Sequence, residues 1–242
     1  MQGRVHSVET FGSVDGPGTR FLIFLQGCHM RCRYCHNADT WAQDAGTWRT
    51  AEELLTQAER YRPYWGREGG ITVSGGEPLL QAAFLLELFT KAKARGISTC
   101  IDTSGQPFNR REPFFSTFQA LMEVTDLLLM DIKHLDPQRH RLLTGQDMDS
   151  IQDCFRYLSQ IGKPIWVRQV LLPGWTAEEG YLRQVRAFLD TLDNVKKVEV
   201  LPYHSMGQFK WEALGIPYPL KDAQPPTQEQ ITLAEQILTG RA

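Results

Sequence analysis

No charge of one sign prevails in this sequence: Lys and Arg total 26 and Asp and Glu total 28 among 242 residues, a formal balance of −2. Without a basic excess there is little to displace the counterion atmosphere of a polyanion, which argues against a nucleic-acid-coating protein. No apolar run reaches the roughly 18–20 residues that a bilayer-spanning helix requires, and residues 1–10 contain no apolar core of a secretory signal; the expectation is a cytoplasmic protein with no membrane partner. Internal repeats, low-complexity tracts and blocks of like charge are absent too. Gln224-Pro225-Pro226 reads as a short stiff connector, so the chain is expected to form a single domain over residues 1–242. Cysteine is scarce, at 5 residues. An odd, small number in a cytosolic protein speaks against a disulfide framework and for metal binding.

What the sequence does have is alternation. Phe21–Leu25, Ile71–Val73, Ser98–Ile101, Leu127–Met130, Ile165–Leu171 and Val198–Leu201 are short runs, apolar mostly on both parities, as parallel strands buried on two faces require. Helical material separates them. Thr50-Ala51-Glu52-Glu53, Thr176-Ala177-Glu178-Glu179 and Thr227-Gln228-Glu229-Gln230 read as capped helix starts, and Asp136-Pro137 as an N-cap followed by a first-turn proline. Phe84–Ala94 carries Leu85, Leu88, Phe89 and Ala92 on one face and stops at Gly96. Six strands followed by helical or loop material imply right-handed βα units with ligands at the carboxyl ends of the strands.

Three of the five cysteines crowd into one such loop. The first strand runs into Gln26-Gly27-Cys28-His29-Met30-Arg31-Cys32-Arg33-Tyr34-Cys35-His36-Asn37, a Cys-x3-Cys-x2-Cys spacing. Thiolates suit zinc or an iron–sulfur cluster. Cys154 falls on a helical stripe with Ile151, Phe155 and Leu158, and Cys100 lies inside a strand, so both read as packed thiols. Three thiolates on a cubane leave one iron open to a small molecule. The competing reading is Cys3His zinc completed by His29 or His36, or a simple electron-transfer module. Outside that reading, His6, His29, His134 and His140 read as surface or packing residues.

Two segments together resemble the radical S-adenosylmethionine superfamily: the Cys28/Cys32/Cys35 loop with aromatic Tyr34 before its last cysteine, and Ser74-Gly75-Gly76-Glu77-Pro78 after the second strand. Asp15-Gly16-Pro17-Gly18-Thr19-Arg20, Cys35-His36-Asn37, Asp102-Thr103-Ser104-Gly105, Asp131-Ile132-Lys133, Trp166-Val167-Arg168 and Leu201-Pro202-Tyr203-His204 extend the resemblance over nearly the whole chain, to the activases of glycyl-radical enzymes. Residues 37–99 contain no cysteine, and so lack the cysteine-rich insert of other activases. That resembles the branch acting on pyruvate formate-lyase.

The resemblance implies an α/β fold, a partial (β/α)6 TIM-like barrel. It implies a 4Fe–4S cluster on Cys28, Cys32 and Cys35 and reductive cleavage of S-adenosylmethionine to a 5′-deoxyadenosyl radical. Under anaerobic conditions that radical would take hydrogen from a glycine of pyruvate formate-lyase. Tyr34, His36 and Asn37 would line the adenosine, and the backbone of Gly75, Gly76 and Glu77 would receive the methionyl amine, glycines letting main chain approach closely. Ile132, Lys133, Arg168 and His204 complete the implied cosubstrate contacts. Asp102 and Asp131, with Thr103 and the Leu129 carbonyl, would hold a monovalent cation, Na+ or K+, beside the cosubstrate. Asp15 would touch the protein substrate. Arg20, Arg31, Arg33 and His29 form a locally basic stretch suited to an acidic electron donor, flavodoxin or ferredoxin. A monomer is expected. Within the same superfamily the competing reading is a deazaguanine-synthase-like enzyme acting on a small molecule.

Overall fold

The six strands expected from the apolar runs are all present in the computed structural model, which describes residues 1–240, and two more accompany them. The chain divides into two compact units, residues 1–29 with 40–129 and residues 30–39 with 130 onward.

In the first unit, β1 (Gln2–Gly12), β2 (Arg20–Leu25), β3 (Thr47–Thr50), β4 (Gly70–Gly75) and β5 (Ser98–Thr103) lie in the order β3-β1-β2-β4-β5. Strands β2, β4 and β5 run parallel, with Ile23 opposite Val73, Leu25 opposite Gly75 and Ile71 opposite Thr99. This register brings the loops after β2 and β4 out side by side. The two unforeseen strands pair antiparallel: β1 with β2 and β3. In β1 the apolar residues Val5, Val8 and Phe11 are three apart. Register shifts between Val5 and Ser7 and between Glu9 and Gly12 break the two-residue alternation by which a strand is recognised. Helix α1 (Ala51–Glu59) begins with the expected capping box: Thr50 Oγ1 accepts from Glu53 N, and Glu53 accepts from Thr50 N. Helix α2 (Ala82–Ala94) buries Leu85, Leu88, Phe89 and Ala92, and α3 (Phe114–Glu123) follows β5.

Strand β6 (Leu127–Ile132) enters the second unit at Met130, where the order is β6-β7-β8, with β7 (Ile165–Leu171) and β8 (Val195–Pro202) parallel. Helix α4 (Pro137–Thr144) is capped by Asp136, which accepts from Arg139 N at 2.8 Å. Helix α5 (Asp149–Gln160) buries the expected stripe of Ile151, Cys154, Phe155 and Leu158. The Thr176 box does not form. Helix α6 (Glu179–Leu189) starts later, after Glu178, and Thr176 Oγ1 instead accepts from Leu172 N at 2.8 Å and donates to Val170 O at 2.6 Å. Burial of Thr176 after β7 made those backbone groups the nearer partners. Helix α7 (Gln208–Ala213) precedes α8 (Gln228–Thr239), whose Thr227/Gln230 capping box is present as expected. Among the described residues no helix is long and apolar enough to cross a membrane.

Candidate active site

In the first unit, Cys28 leaves β2 on a backbone stitched to its surroundings. Gly27 N donates to Thr40 O at 2.7 Å and Cys28 N to Trp41 O at 3.2 Å, while Glu77 N donates to Gly27 O at 2.8 Å and Gly76 N to Leu25 O at 2.9 Å. A Cβ on Gly76 would sit 2.2 Å from Gly27 O, and one on Gly75, whose φ is +114°, 2.4 Å from Leu25 N. The two glycines therefore let the cysteine loop and the β4 loop close on each other.

Glu77 is buried and anchors the neighbouring loop. Its carboxylate accepts from Thr103 Oγ1, from Leu79 N at 3.1 Å and from both Ser104 Oγ and Ser104 N, the last at 3.0 Å. Burial raises its carboxyl above the usual carboxylate range, and the donors from Ser104, Thr103 and Leu79 offset only part of that rise. The side chain of Glu77 thus ties the loop after β4 to the loop after β5. Asp102, at the end of β5, accepts from Ser74 Oγ at 2.7 Å.

Asp15 lies elsewhere in this unit. Its carbonyl accepts from Thr72 Oγ1 at 2.7 Å, and Thr19 O accepts from Gly70 N, so the Asp15–Gly18 segment packs at the amino-terminal ends of β2 and β4. Cys28 is at the opposite end, roughly 20–25 Å along the strand. Arg20 departs from expectation: it is wholly buried and takes no part in an exposed basic patch. Burial lowers its pKa, with Cys100 and Asp126 opposing. His29 and Arg31 are exposed, and Arg33 is half-buried with its guanidinium 5.3 Å from the centre of the Trp175 ring.

The second unit holds the rest of the cysteine loop at both ends. Arg31 N donates to Thr144 O at 2.7 Å and Arg33 N to Leu143 O at 2.9 Å, so the last carbonyls of α4 pair with the loop instead of with water. Cys35 N closes a turn on Cys32 O at 2.9 Å, and Trp211 Nε1 on α7 donates to Cys35 O at 2.8 Å. Lys210, one residue earlier, donates to Asn37 Oδ1 at 2.9 Å and to Asp39 Oδ1 at 3.1 Å. Cys32 is buried; Cys35 and Cys28 are half-buried.

Several expected cosubstrate residues meet here. The His36 and His204 rings stack at 4.3 Å and 23°, and His36 Nε2 lies 3.1 Å from His204 O. Loss of water on the stacked face lowers the His36 pKa, and the His204 carbonyl only partly restores it. Lys133 pairs with Asp131 at 2.7 Å and stands 5.5 Å from the centre of the Tyr34 ring. Burial opposes the charge of Lys133, yet Asp131 and its other neighbours Tyr34 and Cys32 hold its pKa well above the usual lysine range. Burial drives the Tyr34 phenol well up, so it stays protonated. Arg168 sits in register with Glu199 on β8 and pairs with it at 3.3 Å. Ile132 and Leu129 are buried side chains of β6. Glu199, Lys210 and Trp211 were not foreseen. Glu199 is the only one with a local signal, as an acid inside the apolar run Val198–Leu201.

A thiol-rich loop at a parallel strand's carboxyl end, braced by a Gly-Gly-Glu turn, defines a radical enzyme of the S-adenosylmethionine class. A family model for the radical SAM superfamily matches residues 22–183. The pyruvate formate-lyase-activating enzyme of Streptococcus mutans is 50% identical over 240 residues, covering 98% of this chain and 91% of that protein. The enzyme of the same name from Listeria monocytogenes is 49% identical, covering 98% and 96%. A solved domain of a pyruvate-formate lyase-activating enzyme from Bacteroides vulgatus superposes with a TM-score of 0.58 at 27% identity, covering 71% of this chain and 94% of the domain. The chain belongs to the radical SAM superfamily and, within it, to the family of pyruvate formate-lyase-activating enzymes. These identities favour the activase reading over the deazaguanine-synthase-like one.

Membership brings a 4Fe–4S cluster and S-adenosylmethionine as cofactors, and the residues present fit them. Among the described residues no three His, Cys, Asp or Glu side chains converge as on a single metal ion; in a cubane each thiolate takes its own iron. Among the described residues, the Tyr34 hydroxyl and His204 Nδ1 are buried polar atoms with no hydrogen-bond partner. Leaving such an atom unsatisfied costs about 1–3 kcal/mol, so both have bonding capacity for a polar ligand.

Proposed function

We propose that this protein activates pyruvate formate-lyase under anaerobic conditions, with Cys28, Cys32 and Cys35 holding the 4Fe–4S cluster and leaving one iron for S-adenosylmethionine. Bound together, these cofactors supply, on one-electron reduction, a 5′-deoxyadenosyl radical that takes a hydrogen atom from a glycine of the lyase and leaves a glycyl radical there. The observation that carries the reading is the fixed backbone of the cysteine loop, hydrogen-bonded at Cys28, Arg31, Arg33 and Cys35. The names of the relatives at 49–50% identity support the lyase as the protein substrate.

The residues then take definite parts. The His36–His204 stack with Tyr34 and Asn37 receives the adenosine. Backbone groups of Gly75, Gly76 and Glu77 receive the methionyl amine, and Ile132, Lys133 and Arg168 complete the contacts. Glu199 holds Arg168 in place. Asp102, Thr103, the Leu129 carbonyl and Asp131 hold Na+ or K+; two half-buried carboxylates at strand ends support this assignment. Asp15 meets the lyase at the amino-terminal ends of the strands. Flavodoxin or ferredoxin provides the electron, docking on exposed His29 and Arg31. The protein works in the cytoplasm as a monomeric single domain.

The test is a glycyl-radical signal in electron paramagnetic resonance after the anaerobically reconstituted protein, a reductant and S-adenosylmethionine are added to pyruvate formate-lyase. The signal is expected with Cys154→Ser, and it is expected to vanish with Cys28→Ser, Cys32→Ser or Cys35→Ser. Equal loss at Cys154, or survival of the signal in any of the three loop variants, would refute the ligand assignment.

A further inference from the structure

Arg31 and Arg33 flank Cys32, and the backbone N–H of each is taken by the end of one helix. Arg31 N donates to Thr144 O at 2.7 Å and Arg33 N to Leu143 O at 2.9 Å. These are the last two carbonyls of α4, and they are open because the helix stops there. Gly145 makes the stop. Its φ of +73° lies in the left-handed region, and its N–H turns back to Arg141 O at 2.8 Å. Had the helix gone on, N–H groups four residues ahead would have claimed both carbonyls. The Thr144 side chain steadies the same turn, its Oγ1 donating to His140 O at 2.8 Å and accepting from Gln146 N at 3.2 Å. Leu143 and Thr144 are fully buried. A Cβ on Gly145 would meet nothing nearer than Arg31 Cβ, at 3.6 Å, which is ordinary contact. The glycine is therefore required by its backbone angle and not by space.

We infer that Gly145 is a positioning residue for the cysteine loop: by ending α4 in a left-handed turn, it lets the helix hold the Arg31 and Arg33 amides away from the cluster sulfurs and so lowers the cluster's reduction potential. The inference rests on the proposed ligation by Cys32. Hydrogen bonds to cluster sulfurs stabilise the reduced, more negative state and raise the potential. An N–H already given to a helix carbonyl forms no such bond. The carboxyl end of a helix also carries partial negative charge, which works in the same direction against an added electron. A more reducing cluster suits a protein whose cosubstrate accepts one electron into a carbon–sulfur bond. Gly145 is the informative position, because the two carbonyls themselves belong to the backbone and cannot be removed by exchanging a side chain.

The experiment compares Gly145→Asn, Gly145→Ala and Gly145→Val with the parent, since Asn tolerates the left-handed region best and β-branched Val worst. Amide hydrogen exchange over residues 31–33 is measured before iron is added. The midpoint potential of each anaerobically reconstituted protein is then titrated by electron paramagnetic resonance without S-adenosylmethionine. Exchange is expected to stay within about twofold of the parent in Gly145→Asn and to run about tenfold faster in Gly145→Val, with Gly145→Ala between them. The potential is expected to rise in the same order. In Gly145→Val the one-electron equilibrium shifts about tenfold toward the reduced form, which is about 59 mV. Faster exchange with no rise in potential, or with a fall, refutes the tuning. Unchanged exchange in Gly145→Val refutes the brace. A parent that binds no 4Fe–4S cluster, or a Cys32→Ser variant that binds one as the parent does, overturns the ligation on which the inference rests, whatever the order of exchange. Should Gly145→Val fail to fold, Gly145→Ala against Gly145→Asn decides by the same two readouts.

Discussion

Glu77 illustrates how a motif residue divides its labour. Its backbone N–H meets Gly27 O, and its buried carboxylate is saturated by Thr103, Ser104 and Leu79. Replacing Glu77 by Gln would point an amide NH2 at hydroxyl and backbone donors that have no other acceptor of equal strength. Loss of about 2–3 kcal/mol is expected, since hydrogen bonds to charged groups contribute about 1.5–3 kcal/mol each and part is recovered by relaxation. Urea unfolding of parent and variant measures it; an unchanged midpoint would refute the anchoring role. A second residue contributes to the pH response. Among the described residues, Nε2 of buried His140 has no hydrogen-bond partner, and burial lowers the pKa of the ring to about 4 from 6.5. Above pH 6.5 both folded and unfolded states are neutral there and the contribution is complete; as pH falls from 6.5 toward about 4 the unfolded chain takes up the proton first, so stability is lost across that window. The loss is of the order of 2 kcal/mol. Unfolding midpoints of the parent and His140→Gln at pH 7 and pH 5 check this, the variant showing the smaller drop.

At the scale of elements, the sequence was legible wherever one local rule sufficed. The parallel strands carry short, mostly apolar runs and were found within two or three residues of their ends, and the Thr50 and Thr227 capping boxes formed as written. Strand β1 escaped because its register shifts destroy alternation, and β3 because its four residues, with Trp48 exposed, are ordered only by pairing with β1. Thr176 shows the converse: a sound local signal overridden by tertiary surroundings. The two threonines should therefore respond differently to Ala. Thr50→Ala removes a helix cap and should cost about 1 kcal/mol. Thr176→Ala orphans Leu172 N in a buried setting, while Val170 O keeps its bond from Gln169 Nε2, and should cost about 2 kcal/mol. Thermal or urea unfolding of both variants gives the order, and the reverse order would contradict the placement of Thr176. The cysteine loop was legible as a ligand set. Its supports, Trp211 and Lys210 on α7 and the last carbonyls of α4, were not, because they lie more than 100 residues away in sequence and carry no periodic signal.

For the whole molecule, composition excluded classes and motifs named the chemistry, while the partner came from kinship. A chain of net charge −2 with three clustered thiols is compatible with many redox proteins; full-length similarity at 50% identity narrows it to one family of activases. The central claim is that hydrogen moves from a glycine of pyruvate formate-lyase to the cosubstrate's adenosyl carbon. The direct measurement uses lyase deuterated at its glycines, mixed anaerobically with the reconstituted, reduced protein and S-adenosylmethionine, and mass spectrometry of the 5′-deoxyadenosine formed. One deuterium in that product, alongside a glycyl radical on the lyase, is the predicted result. Deoxyadenosine that forms without deuterium while the lyase stays inactive would contradict the account.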